Sequence, residues 1–119
     1  MPETEEDDLE QIKEKLKNYN RQDIIFNEPH FTLRLLMREG EREEVIENLL
    51  KPDNLVYSYH EKAISGSQVH CLHFKISNTR TMRLPVIFDK GGRKNLYILT
   101  YIMRYRPWQS MLVRGRRRR

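Results

Sequence analysis

The sequence predicts an α+β domain with helices packed on one face of a four- to five-stranded antiparallel sheet, a two-layer sandwich. Three observations carry that expectation. Apolar residues recur at helical spacing as far as Leu50, the period shortens to two after Asn54, and turn residues separate the later apolar runs.

The first helix is expected over residues 8–19. Leu9, Ile12, Leu16 and Tyr19 fall on one stripe, with Lys13, Glu14, Lys15 and Lys17 toward water. Acids at its start and lysines toward its end complement the helix dipole. A short strand over 23–26 follows. Asn27 is then placed to cap a second helix over 30–38, with Pro29 in its first turn and Gly40 at its end. A third helix over 42–50 has Glu43 and Glu44 in its first turn and buries Val45, Ile46, Leu49 and Leu50. The run Lys51-Pro52-Asp53-Asn54 stops it.

Strands are expected over 55–60 and 68–77, joined at Ser65-Gly66-Ser67. Another hairpin joins 82–89 to 94–105 through Lys90-Gly91-Gly92-Arg93, where glycine supplies the positive φ of a tight turn. The last strand, over 95–105, is apolar on both faces and so is expected at the centre of the sheet. Pro107 ends it, and Trp108 is expected to fold back onto the domain. Residues 1–7 and 114–119 have little to bury and read as a disordered acidic N-terminus and a flexible arginine-rich tail, leaving one domain over 8–113.

The chain has 119 residues and a net charge of +5. That charge is unevenly spread. Residues 1–10 hold six acids and no base, residues 114–119 hold five arginines, and the remainder keeps 17 bases against 11 acids. A basic excess on the folded part points to an anionic partner, most directly RNA or an acidic protein. No stretch reaches the roughly eighteen apolar residues of a membrane span, and the acidic N-terminus is unlike a signal peptide. A single cysteine, Cys71, forms no internal disulfide, and a cytoplasmic setting without membrane contact is expected.

His70-Cys71-x-His73 has the look of a metal cluster, yet alternation along a strand puts His70 on one face and Cys71 with His73 on the other. No second Cys/His pair supplies the remaining ligands, so no metal and no cofactor are expected of the protein, and His70 reads as a core histidine beside Leu72, Phe74 and Ile76. The opposite face carries Cys71, His73 and Lys75, to which neighbouring strands are expected to add His60, Arg83 and Arg104. Histidine can move a proton near neutrality, and lysine and arginine can hold a phosphate. His60, His73, Lys75, Arg83 and Arg104 are therefore the candidate catalytic residues for metal-independent phosphodiester cleavage. An exposed strand can also carry such bases simply to keep its edge soluble.

Candidate nucleic-acid contacts are Lys90, Arg93 and Lys94 at the hairpin tip, Tyr105, Arg106 and Trp108 after the last strand, and Arg114 and Arg116 in the tail. Tyr97, Tyr101 and Tyr105 are expected on one strand face, with Tyr101 turned to the core. The basic hairpin lacks the spacing of a phosphate-cradling P-loop.

The run Ile24-Ile25-Phe26, the segment from His30 through Arg34 to Arg38 and Gly40, and Glu43-Glu44-Val45-Ile46 leading to Lys51-Pro52, followed by a strand meander, resemble the DUF4258 and BrnT-like small domains of the RelE-like toxin fold. His30, Arg34, Glu44, Val45 and Pro52 carry the match, over about residues 24–105. The helix over 8–19 and the arginine tail are outside the pattern. The resemblance implies a RelE-like two-layer sandwich that acts on RNA as a toxin-type ribonuclease, or has kept the fold without the activity, and it implies an antitoxin partner. The competing expectation is a non-enzymatic interaction module that binds an acidic protein or pairs with itself, a homodimer forming through the Leu9–Ile12–Leu16–Tyr19 stripe. The acidic segment over 3–10 is further expected to mask the basic face or tail.

Overall fold

The computed structural model describes residues 4–112. Within them, seven strands and three helices follow in the order β1 (Thr4–Glu6), α1 (Leu9–Leu16), β2 (Ile24–Phe26), α2 (His30–Met37), α3 (Arg42–Leu50), β3 (Leu55–Lys62), β4 (Gln68–Ser77), β5 (Arg80–Phe88), β6 (Leu96–Ile98) and β7 (Ile102–Arg104). One open sheet runs β1-β3-β4-β5-β6-β2, with β7 beside β5. Every pairing is antiparallel except that of β2 with β6. The α+β class holds, and the strand count is corrected from four or five to seven.

All three helices cover one face. Ile12 and Leu16 of α1, Phe31 and Leu35 of α2, and Val45 and Leu49 of α3 share a core with Leu72, Phe74, Met82, Leu84 and Val86 of the sheet. Tyr19 belongs to the same core and Leu9 packs against it, so the apolar stripe of α1 faces the inside of the molecule. Asp8 caps α1 by accepting from the Gln11 N–H at 3.2 Å. At α2 the expected cap is replaced. Glu28 accepts from the Thr32 N–H at 3.0 Å, while the Asn27 amide donates to the Leu99 carbonyl at 3.2 Å and its oxygen accepts from the Tyr97 hydroxyl at 2.9 Å.

Three departures concern the strands. β1 takes residues expected to be disordered. Thr4, Glu5 and Glu6 pair with Glu61, His60 and Tyr59, and backbone pairing to an open edge asks for no apolar side chain. Next, the last strand is broken. Val86 faces Ile98 while Arg83 faces Ile102, so three steps on β5 oppose four on its partner, and one extra residue is accommodated near Leu99–Tyr101. Leu96 and Ile98 face the core before this bulge, and Tyr101 and Met103 face it afterwards. Tyr97 and Tyr101 consequently lie on opposite faces, against the shared face expected for them. Finally, the broken strand is not central. β4 and β5 hold the middle of the sheet, β6 is followed by β2, and β7 lies to the side of this path, paired with β5.

A second irregularity lies between Leu55 and Tyr57, where Leu55 pairs Phe74 and Tyr57 pairs His73. Leu55 therefore joins the helix-side core, whereas Tyr57 and Tyr59 turn to the other face with Val69 and Cys71. The chain beyond β7 crosses that second face, with Trp108 stacked against Tyr57 at a ring separation of 6.3 Å and Leu112 packed nearby. Trp108 thus folds back as expected. The arginine tail, with Arg114 and Arg116, lies outside the described residues.

Candidate anion-binding site

On the face away from the helices, register lines up Tyr57, His73, Arg83 and Ile102 across β3, β4, β5 and β7. The next row holds Tyr59, Cys71 and Pro85. Arg104 lies opposite Thr81, which lies opposite Lys75. A cavity of about 170 Å³ opens here, lined by Tyr59, His73, Arg83, Arg104, Arg106, Ser110 and Met111. Its far wall is the one-turn 3-10 helix over Trp108–Met111.

Among the described residues, three arginines line this cavity and no carboxylate does. The Arg83 guanidinium donates to the Tyr59 hydroxyl at 2.7 Å and approaches the Cys71 sulfur at 3.9 Å. Its Nε is buried with no acceptor among the described residues. Buried donors are normally satisfied, so an orphaned guanidinium N–H marks a place where an acceptor fits. The backbone positions Arg106 too, since its carbonyl accepts from the Thr81 hydroxyl at 3.0 Å.

His73 is enclosed, with only 1% of its surface exposed. Its Nδ1 lies 3.2 Å from the Cys71 carbonyl, and its ring packs beside Tyr57 and Tyr59. Burial, reinforced by the Arg83 charge, lowers its pKa to about 4. The ring is therefore neutral through the physiological range and supplies no proton there. Burial also pushes the Tyr59 hydroxyl and the Cys71 thiol upward, so both stay protonated near neutrality.

Of the candidate catalytic residues, the fold gathers His73, Arg83 and Arg104 at this cavity, with Lys75 exposed on the same face. His60 is not among them. It pairs with His70 and shares that residue's helix-side face, where it contacts Asp7. His70 is satisfied as expected, with Nδ1 3.0 Å from Asp7 and its ring edge against Phe88. The residue that sequence reasoning missed is Tyr59, whose side depends on the irregularity at Val56.

The nucleic-acid candidates divide. Arg106 lines the cavity, Tyr105 is exposed on the opposite, helix-side face with Arg80 over its ring and Tyr101 nearby, and Trp108 is largely taken up by Tyr57. Lys90, Arg93 and Lys94 leave from the other end of β5, roughly 17 Å along the strand from Arg83 at about 3.3 Å per residue. Lys90 sits over Tyr97 and Lys94 lies 3.7 Å from Asp23, so these two already have contacts. Within the acidic segment, Asp7 is directed to the helix side by Ser58, His60 and His70, and the arginine tail it was expected to mask lies outside the described residues.

Comparison with family models, with curated proteins and with solved structures gives no match. Among the described residues, no helix is long and apolar enough to cross a membrane.

Proposed function

We propose that this chain is an RNA-binding domain and that the pocket of Arg83, Arg104 and Arg106 receives a backbone phosphate. The observation that carries the reading is a cavity with three guanidiniums, two hydroxyl-bearing side chains and no carboxylate among the described residues, one buried guanidinium N–H lacking an acceptor. Phosphate oxygens would satisfy that donor and neutralise the charge. The RelE-like resemblance points the same way, with toxin-type RNA cleavage as its stronger form. The pocket favours binding over cleavage. His73 is a neutral, enclosed ring, and Tyr59 holds its proton, so neither is a ready proton donor and acceptor pair at neutral pH.

The test is anisotropy of a labelled single-stranded RNA across a salt series, with the full chain and with a chain lacking residues 114–119. Substituting Arg104→Gln and Arg106→Gln should weaken binding. It should also flatten the slope of log affinity against log salt by about 0.7 for each phosphate no longer held. Unchanged affinity and slope, or binding that vanishes with the tail alone, would remove the pocket from the function. Gel analysis of the same RNA tests cleavage directly.

A second reading, a protein-interaction module, is favoured by one feature. Leu33, Leu36 and Met37 of α2 are 57%, 68% and 71% exposed. Sedimentation of the full chain tests self-association through this face, which Leu36→Lys with Met37→Lys should abolish.

A further inference from the structure

On the helix side of the sheet, away from the arginine pocket, three segments bring metal-ligating atoms together. Asp7 follows β1, His60 lies on β3 and His70 on β4, and one ligand atom from each falls within 4.8 Å of the others. His60 Nδ1 is 2.6 Å from Asp7 Oδ1, and His70 Nδ1 is 3.0 Å from Asp7 Oδ2. Both imidazoles thus aim the same ring nitrogen at one carboxylate. Ser58 donates to Asp7 Oδ2 at 2.6 Å, and the Asp7 N–H donates to the Ser58 carbonyl at 2.9 Å, which fixes the carboxylate from two sides.

We propose that Asp7, His60 and His70 form a three-ligand zinc site, with a fourth position left to water and Glu5 as the outer partner of His60. Donor type, spacing, charge and outer contacts support it. Two imidazoles and a carboxylate are a donor set suited to zinc. Zinc bonds of about 2.0–2.1 Å place tetrahedral ligand atoms about 3.3 Å apart, so the two Asp7 contacts need open by less than about 1 Å and the imidazole ligand atoms, within 4.8 Å of each other, need close by at most about 1.5 Å. The Asp7 side chain is only 7% exposed, and among the described residues its ion-pair partners are the two imidazoles. A divalent cation supplies the charge that a carboxylate in such a place calls for.

The proton balance also works. Each Nδ1 that now shares a proton with Asp7 must present a lone pair to the metal, so in a neutral ring that proton is exchanged for one at Nε2, and in a doubly protonated ring it is released to solvent while the Nε2 proton stays. For His60 the acceptor is already there, since Nε2 is 3.1 Å from Glu5 Oε1. A carboxylate on the remote nitrogen of a ligating histidine fixes the tautomer and strengthens the ligand. The strand pairing that opposes Glu5 to His60 and His60 to His70 makes this alignment a product of register. The arrangement draws on residues 5, 7, 60 and 70, which explains why the local His70-Cys71-x-His73 motif did not reveal it.

The experiment titrates the full chain, freed of metal by chelator, with cobalt(II) as a spectroscopic stand-in and then with zinc in competition. The expected result is one equivalent of cobalt with the intense visible absorption of tetrahedral coordination, no thiolate charge-transfer band, and displacement by zinc. His70→Gln and Asp7→Asn should lower affinity at least 100-fold, and Glu5→Gln about tenfold, the scale of an outer-shell loss. His30→Ala, at the start of α2, should leave binding unchanged. Circular dichroism verifies that each variant is folded. Wild-type protein that is folded and takes up no stoichiometric metal overturns the proposal, whatever the variants do. A tetrahedral cobalt spectrum that survives both His60→Gln and His70→Gln also overturns it.

Discussion

Lowering the pH should act on His73 more than on any exposed histidine. Its ring is enclosed by Tyr57, Tyr59, Cys71 and the Arg83 guanidinium, and its pKa falls from 6.5 to about 4. In the unfolded chain the same ring binds a proton near pH 6.5. Above that pH both states hold it neutral, and stability does not depend on it. As pH falls from 6.5 toward 4, the unfolded state takes up a proton that the folded state refuses, so stability is lost. At about 1.4 kcal/mol per pH unit, the interval is worth about 3 kcal/mol, a large part of an ordinary domain's stability. Urea unfolding from pH 7 to pH 4 measures it, with His73→Gln run in parallel. Comparing slopes cancels the variant's own loss of stability and the titration of other groups. The variant should lose about 3 kcal/mol less than the wild type over that range. Parallel curves, or a His73 ring resonance titrating near pH 6.5 in the folded protein, would refute the reasoning.

Gly40→Ala should cost about 1–3 kcal/mol, read as a lower melting temperature, because the new Cβ would stand 2.7 Å from the Tyr101 ring and hydroxyl and 2.8 Å from Leu35. Arg42→Ala should cost about 1–2 kcal/mol by urea titration, since its guanidinium stacks 4.7 Å from the Phe26 ring and donates to Thr32 at 2.7 Å. Arg21→Ala, at the exposed ion pair with Glu43, should leave the same curve unmoved. Leu36→Lys with Met37→Lys should change stability by no more than about 0.5 kcal/mol, because both side chains already face solvent.

What could be read from the sequence was local. α3 spans Arg42–Leu50 as its apolar spacing requires, and the α1 stripe enters the core at Ile12, Leu16 and Tyr19. The faces of His70 and His73 also follow from strand alternation. Register could not be read. Strict alternation from Leu55 would send Tyr57 and Tyr59 to the helices, and one extra residue at Val56 reverses that. Without a known pairing partner, His60 reads as a member of the arginine face, although its register with His70 puts it on the other. β1 carries no apolar pattern at all, and its strand exists because β3 has an edge to offer. Asp7 lies 53 residues from His60 and 63 from His70, so no window along the chain contains their meeting.

The extra residue between Ile98 and Ile102 has a consequence for how this protein tolerates insertions and deletions. Upstream of it, Tyr97 reaches to Asn27 on one side of the sheet; downstream, Tyr101 and Met103 plug the other. Removing Thr100 would leave three steps opposite three on β5, so Ile98 would still face Val86 and Ile102 would still face Arg83. Simple alternation would then turn Leu99 out, Tyr101 in, Ile102 out and Met103 in, the faces they already have. The segment is thus a slack joint, one that can give up its spare residue while the core and the cavity wall keep their places.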